Sequence, residues 1–420
     1  MLEKIKSKLS NSRKSFTFKT IRTVAKISVG FFLLLLSQTS NAATQSLTAL
    51  TLTGVLDATL SKHQNTTAEN VFFNKSENET SWLASSPKLG LNYVKSDQDQ
   101  GTDEFEVSLN LPFKSSLQAQ IDNDLIKSNK ALKLLSSINQ QLYFSGQIRT
   151  QLWQIKIAQS QASNIEKKLS FLARLEKQYS QLVNSNQSTK YPLLLIQQEV
   201  LDAKIIRLDH HEKLNALMAQ YYALTGLRFL PLDIIEKTFT TDTVSMTNHP
   251  QIKTLDQTWF EFERNLQLSS NKSEPWNLSL SAKQLDNNVF NETQVGIGVE
   301  VPITFLAVEK QALSNTWQRE KSTYDLARST QLITLQKKFQ WLLSQQKTLN
   351  QKQNLLEQSK ALSKAIIRET QLLIDANQID QSQALRRMLN AFNTKSQLQL
   401  NQLFLLKNIA MLRQSAGISL

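Results

Sequence analysis

The residues of this chain that could do chemistry are few and poorly grouped. His210 and His211 form the only histidine pair, and neighbours on a helix point about 100° apart, so they do not converge on one metal ion. Cysteine is absent, which excludes disulfides, thiolate metal sites and a lipidated N-terminal Cys. Five methionines, the first residue included, are too few for a thioether ladder that would carry copper. No nucleophile elbow, phosphate-binding loop or zinc signature occurs. Glu104 and Glu106 sit two residues apart in an alternating stretch and therefore on one strand face. Lining water explains them more simply than acid–base catalysis. Trp317 and Trp341 read as packing anchors on a long helix. The chain is thus expected to have no catalytic residue, cofactor or metal, and not to be an enzyme.

The elements that would position any other site are long. Between Leu117 and Leu182 there is no proline, and Gly146 is the only glycine. Good and fair helix formers dominate. Apolar residues recur in steps of four and three through Ala158, Ala162, Ile165, Leu169, Leu172, Leu175, Tyr179 and Leu182, one stripe close to a heptad seam. A helix of this length extends roughly 100 Å. The 420 residues contain only nine Gly and seven Pro, which suits uninterrupted elements.

Residues 1–42 read as a secretory signal peptide. Eight basic residues stand against Glu3, an apolar core runs from Val29 to Leu36, and Ser40-Asn41-Ala42 suits cleavage. That core is shorter than the roughly 20 residues a spanning helix needs. The segment carries a net +7, so the formal +13 of the chain falls to +6 after its removal. Spread over helix faces, this surplus makes no nucleic-acid patch.

In chain order, a short helix is expected within 46–82. An alternating hairpin follows over 87–112. Phe105, Val107 and Leu109 lie on its apolar side, and Pro112 closes it. The long helix 117–182 leads through the polar turn Asn184, Ser185, Asn186, Gln187, Ser188 into a return helix, 190–225, ended by Gly226. Residues 227–247 are irregular. The pattern then repeats: helix 248–271 from His249-Pro250, hairpin 275–302 with Leu278, Leu280, Val295, Ile297 and Val299 on the apolar side, long helix 305–374, and return helix 380–416. Pro87 matches Pro275, Pro112 matches Pro302, and Gly226 matches Gly417, at offsets drifting only from 188 to 191. Two copies of one unit, 43–226 and 248–420, are implied, too long for a solenoid repeat. Each copy offers only two strands, so the copies intertwine.

The expected class is mainly α with a small β part, four strands per chain. Strands of about nine residues with one apolar face suit a membrane barrel, and equally a half-buried soluble sheet. Helices this long cannot pack over such a sheet, and the chain is exported, which favours the barrel. Four strands cannot close a barrel, and open edges are not tolerated in hydrocarbon. Two chains would supply eight strands and three would supply twelve with room for a channel.

The chain resembles the TolC-like outer-membrane channel-tunnel proteins over essentially its whole length after residue 42. The carriers are Leu111-Pro112-Phe113, Val301-Pro302-Ile303, His249-Pro250, the run Ala376-Asn377-Gln378-Ile379-Asp380 with Ala384-Leu385, and Ala416-Gly417-Ile418. The resemblance implies a homotrimer whose twelve-stranded barrel crosses the outer membrane of a Gram-negative bacterium above a periplasmic helical tunnel. It implies a passive exit channel of a tripartite efflux system, working with an inner-membrane pump and a periplasmic adaptor. The adaptor would meet the two helical turns, at Asn184–Ser188 and at Asp375, Asn377, Gln378 and Asp380. Asn186 and Asn377 stand where the family usually has Gly, and Asn tolerates the left-handed conformation. Where some members carry an acidic ring this chain has Gln383 and Arg386, the expected pore gate. Alternatives are a type I protein-secretion channel or, in another class, a periplasmic coiled-coil adaptor. The four long alternating strands argue against the adaptor.

Overall fold

Helix α2 (Ser116–Asn184) starts on a capping box. Ser115 Oγ accepts from the Gln118 amide at 3.3 Å, and the Gln118 side chain accepts from the Ser115 amide at 3.1 Å. The computed structural model describes residues 50–64, 81–98, 101–240, 244–269, 274–303, 311–376 and 379–420. The expected signal peptide, the second half of the first helix, Asn377 and Gln378, and the start of the second long helix lie outside these. The other helices are α1 (Leu52–Gln64), α3 (Lys190–Thr225), α4 (Pro250–Leu268), α5 (Gln311–Asp375) and α6 (Gln381–Ser415). The strands are β1 (Lys88–Val94), β2 (Asp103–Phe113), β3 (Trp276–Asp286) and β4 (Asn291–Glu300).

Several boundaries differ from the sequence reading, α2 and α6 by only one or two residues at each end. Pro112 does not close β2, which runs one residue further. Pro112 lies beyond the last β1–β2 pair, Lys88 with Asn110; its carbonyl accepts from the Ala84 amide at 2.8 Å and Leu83 bridges Phe113. Residue 82, expected as the end of the first helix, instead lies in a bend beside the Leu83 bridge. The helix expected from 248 begins at Pro250, after a 3-10 turn over Met246–Asn248. Proline suits that first position because its absent N–H would be unpaired anyway.

The long helices pair as antiparallel hairpins, α2 with α3 and α5 with α6. Apolar clusters are strung along them. Val55 and Leu56 of α1 pack on Ile148, Leu152 and Ile155 of α2 and on Leu217 and Tyr221 of α3. A second cluster joins Met246 and Ile252 to Leu335, Phe339 and Leu342 of α5 and Leu412 of α6. Helix α4 is tied to α5 by Asp256, which accepts from Arg328 Nε at 2.7 Å and from the Tyr324 hydroxyl at 2.7 Å. Burial and this carboxylate push the Tyr324 phenol up to about 12. Trp317 packs edge-on to Trp259 as an anchor, but Trp341 is 61% exposed. It is no anchor within the chain, because it lies on a face of α5 that no other described element covers.

Arg149 of α2 sits between these clusters and is 1% exposed. Its guanidinium meets Glu236 through a fork, Nε to Oε1 at 2.8 Å and Nη2 to Oε2 at 2.6 Å. Nη1 donates to Gln414 Oε1 at 2.5 Å and to the Ile418 carbonyl at 2.8 Å. Glu236 also accepts from Arg413 Nε at 3.0 Å. The chain end reaches Arg149 because α6 stops in a Schellman turn: Ile418 N donates to Arg413 O at 3.0 Å, with Gly417 at φ 81°. A Cβ there would stand 2.7 Å from Pro250 Cδ, so only glycine fits. At Gly146 a Cβ would lie 2.9 Å from Gln414 Nε2, so any larger residue there would make that side chain shift.

His249 caps α4, its Nδ1 accepting from the Gln251 amide at 3.3 Å, and is 3% exposed. Burial, with help from the Lys338 charge, lowers its pKa to about 4.

Two outcomes follow from these buried groups. Glu236→Ala strands the Arg149 charge and should lower unfolding stability by about 3–5 kcal/mol in denaturant titrations followed by circular dichroism. The double variant Arg149→Met/Glu236→Leu should lose much less. For His249, a folded pKa below the ordinary 6.5 means the unfolded chain takes up the proton first. Stability should therefore fall as pH drops from about 6.5 to about 4, by up to about 3 kcal/mol. His249→Asn, which keeps the cap, should flatten that part of the stability–pH curve.

Candidate functional site

The four strands form one antiparallel sheet in the order β1-β2-β3-β4. Register joins the apolar sides of both hairpins into one face. Leu89 faces Leu109, which faces Leu280, which faces Ile297. The next row runs Leu91, Val107, Ala282, Val295, and another runs Leu111, Leu278, Val299. Among the described residues nothing covers this face: Leu91, Val295, Ile297 and Val299 are each at least 65% exposed, and Phe105 and Leu280 are exposed as well. Val107, Leu109 and Leu278 are half-buried, screened only by neighbouring strands.

Aromatic residues bound the face at both ends. Tyr93 pairs with Phe105, and Phe290 lies in the adjoining turn. At the other end Phe113 pairs with Trp276, and Trp82 packs on Phe113 at 4.9 Å. From Phe105 to Phe113 the strand climbs about 27 Å, or about 20 Å along the normal at a 40° tilt. Aromatic girdles around an apolar band of about 25 Å are the pattern of membrane barrels. The opposite face is polar. Glu104 pairs with Lys283 at 2.5 Å, and Ser279 Oγ donates to the Gly298 carbonyl at 3.3 Å. Glu106 lies on this face, directly opposite Lys283. The outer edges of β1 and β4 have no strand partner among the described residues.

The two helical turns come close together. α2 ends in a Schellman turn, Gln187 N donating to Leu182 O at 2.8 Å and Asn186 N to Val183 O at 3.1 Å. Asn186 takes the left-handed position at φ 54°. Asn184, Ser185, Asn186 and Gln187 are exposed, and Ser188 is half-buried. Asp375 is the last residue of α5. Asp380 caps α6, accepting from the Ser382 and Gln383 amides at 3.0 and 3.2 Å. Its carboxyl is held below the usual range by the Ser382 hydroxyl, by those amides and by the Arg386 charge. Tyr179 near the end of α2, Ile196 near the start of α3 and Leu385 in the first turns of α6 form one buried cluster. Burial raises the Tyr179 phenol, and nearby Asp380 adds to the effect. With Ala384 and Leu385 turned inward, Gln383, Arg386 and Arg387 are exposed.

The remaining chemically capable residues stay apart. His211 lies 3.7 Å from Glu166 on an open surface. No group of three metal-ligating side chains occurs among the described residues, and no described helix is long and apolar enough to cross a membrane. Sequence reasoning missed the Arg149–Glu236 network. The available signal was an arginine within an apolar stripe, between Ile148 and Leu152.

No protein-family model and no curated protein matches this sequence. Solved structures do match. CusC superposes with a TM-score of 0.60 at 12% identity, covering 88% of this chain and 92% of that one. The outer-membrane channel CmeC of Campylobacter jejuni gives 0.58 at 13% identity, covering 87% and 85%. The outer-membrane protein VceC of Vibrio cholerae gives 0.58 at 12%, covering 88% and 92%. Long helical hairpins carrying a four-stranded antiparallel sheet, superposed over most of both chains, identify the fold as that of the TolC-like outer-membrane channels.

Proposed function

We propose that this protein is an outer-membrane exit channel of a tripartite efflux system, a passive conduit that catalyses nothing. The uncovered apolar face of the sheet, aromatic at both ends, carries this reading. In water such a face would drive aggregation, whereas in a bilayer it is solvated by lipid. The unpaired edges of β1 and β4 demand further strands, and a head-to-tail ring supplies them without leaving an edge. Three copies give twelve strands with the polar face, including Glu104, Glu106 and Lys283, turned to a water-filled lumen. The helices supply matching surfaces. On α3, Leu194, Leu201 and Leu208 recur every seven residues, as Leu355 and Leu362 do on α5, and each is more than half exposed. Such seams await helices of neighbouring copies.

In this reading residues 43–226 and 248–420 are repeats of one unit, and 1–42 direct export. The turns at Asn184–Ser188 and around Asp380 form the periplasmic end, where an adaptor linked to an inner-membrane pump would dock. Several proteins of the same fold are described as outer-membrane channels, CmeC and OprN among them.

The test is assembly and conductance. Detergent-extracted protein should give three copies by native mass spectrometry and discrete conductance steps in planar bilayers. A stable monomer that keeps its β signal would overturn the reading. Ile297→Arg places a charge mid-face and should cost about 2–4 kcal/mol in the bilayer, with most trimer lost from outer-membrane fractions. Ser279→Arg, on the polar face, should leave trimer largely intact.

Gln383 and Arg386 are proposed to hold the periplasmic end closed, three copies facing one axis. Arg386→Ala should raise single-channel conductance with the trimer preserved, while Arg387→Ala, on another side of α6, should not.

A further inference from the structure

Helices α5 and α6 share a polar contact that occurs twice. Asn401 and Asn408 lie seven residues apart on α6 and are 1% and 3% exposed. Asn401 Nδ2 donates to the Leu349 carbonyl and to Gln353 Oε1, both at 3.0 Å. Asn408 Nδ2 donates to the Leu342 carbonyl at 3.0 Å and to Gln346 Oε1 at 2.7 Å. The acceptors on α5 are also seven residues apart. The second oxygen atom of the motif is left over: Asn401 Oδ1 and Asn408 Oδ1 are both buried with no partner. A buried acceptor without a donor is destabilising, and a leucine at either position would carry none. The contacts are therefore not what maximal stability would select.

They do discriminate between pairings. The seam around them is apolar and repeats every seven residues, through Leu335, Leu342 and Leu356 on α5 and Leu398 and Leu412 on α6. Such a seam tolerates a shift by one heptad. Shifted one way, Asn401 would face Leu356 and Lys360, so Nδ2 would lose its glutamine acceptor and an ammonium would be drawn against the buried seam. Shifted the other way, Asn408 would face Leu335 and Phe339. The wrong helix fares no better. At the repeat offsets of 190 and 191, α2 has Lys156 or Ile155 in place of Gln346, and Ser163 or Ala162 in place of Gln353. At 191, α3 has His210 and Leu217 in place of the two asparagines. In the α2–α3 hairpin the related contact is single and runs the other way, Gln151 Nε2 donating to the Leu217 carbonyl at 2.6 Å.

We propose that Asn401 and Asn408, with Gln346 and Gln353, form a register-and-partner key for the α5–α6 hairpin. The key selects α5 as the partner of α6 at one height and gives up stability to do so, as single buried asparagines do in coiled coils. It sets the position of the α6 tip, Asp380 to Arg386. These are positioning residues, and their role stands whether or not the chain is a channel.

The absence of cysteine makes the test clean. Lys352 and Gln402 are exposed on α5 and α6. Spin labels on Lys352→Cys and Gln402→Cys, diluted with unlabelled protein, should give one narrow distance by pulsed electron paramagnetic resonance. In the Asn401→Leu/Asn408→Leu background the distribution should broaden or split, while the melting temperature stays level or rises. An unchanged narrow distance with a lowered melting temperature would overturn the proposal and leave ordinary structural hydrogen bonds. An unchanged distance with an unchanged melting temperature would overturn it equally. Should that variant fail to fold, Gln346→Leu/Gln353→Leu changes only half-buried positions and must also broaden the distance, and a narrow one there refutes the key.

Discussion

The fold turns on one buried cation. Arg149 lies in the middle of a 69-residue helix, where desolvating a guanidinium is affordable only with a full set of acceptors. Those acceptors come from three distant parts of the chain: Glu236 in the irregular segment, Gln414 on α6 and the Ile418 carbonyl beyond it. The charge thus requires the irregular segment and the C-terminus to return to the waist of α2. Apolar packing alone is less exacting, since leucine seams accept neighbouring registers. Gly417 serves the same return of the chain end, because its left-handed φ turns the backbone that carries the Ile418 carbonyl to Arg149.

Away from the junction, the two hairpins are joined differently. Along α2 and α3 the contact is made by small apolar clusters such as Ile165, Leu172 and Ala203. Along α5 and α6 buried amides interrupt the seam at Asn401 and Asn408. Two hairpins of similar length are therefore held by different chemistry: α2–α3 by apolar clusters with the Gln151–Leu217 hydrogen bond and the Lys168–Glu199 ion pair, and α5–α6 by an apolar seam with two buried asparagines. The helix with the amides is also the one whose first turn carries Asp380, Gln383 and Arg386.

The sheet poses the opposite problem. Its polar face satisfies itself through pairs such as Glu104 with Lys283, while its apolar face and two edges are left open. No described helix covers them; the described helices pack against one another. The proposal of lipid and of further strands rests on that uncovered surface, which has aromatic residues at both ends.

The sequence by itself determined what depends on local periodicity. Helix and strand are distinguished by period, so a mainly helical chain with a small antiparallel sheet was legible, as was the membership of its apolar face: Phe105, Val107, Leu109, Leu278, Leu280, Val295, Ile297 and Val299. Local turn chemistry was legible too, with Asn186 left-handed, whereas the capping of α6 by Asp380 emerged only from the structure. Ends that depend on partners were not. Pro112 stays within its strand because Ala84 donates to its carbonyl, a contact from 28 residues upstream. Trp341 reads as an anchor but stays exposed, since spacing gives a side chain's helix face and not what covers that face. Only the tertiary structure decided that Arg149 meets Glu236 and the chain end, and that Asn401 and Asn408 face Gln353 and Gln346. Such contacts join residues tens to hundreds of positions apart, and no local pattern encodes which of many polar side chains will be brought within 3 Å.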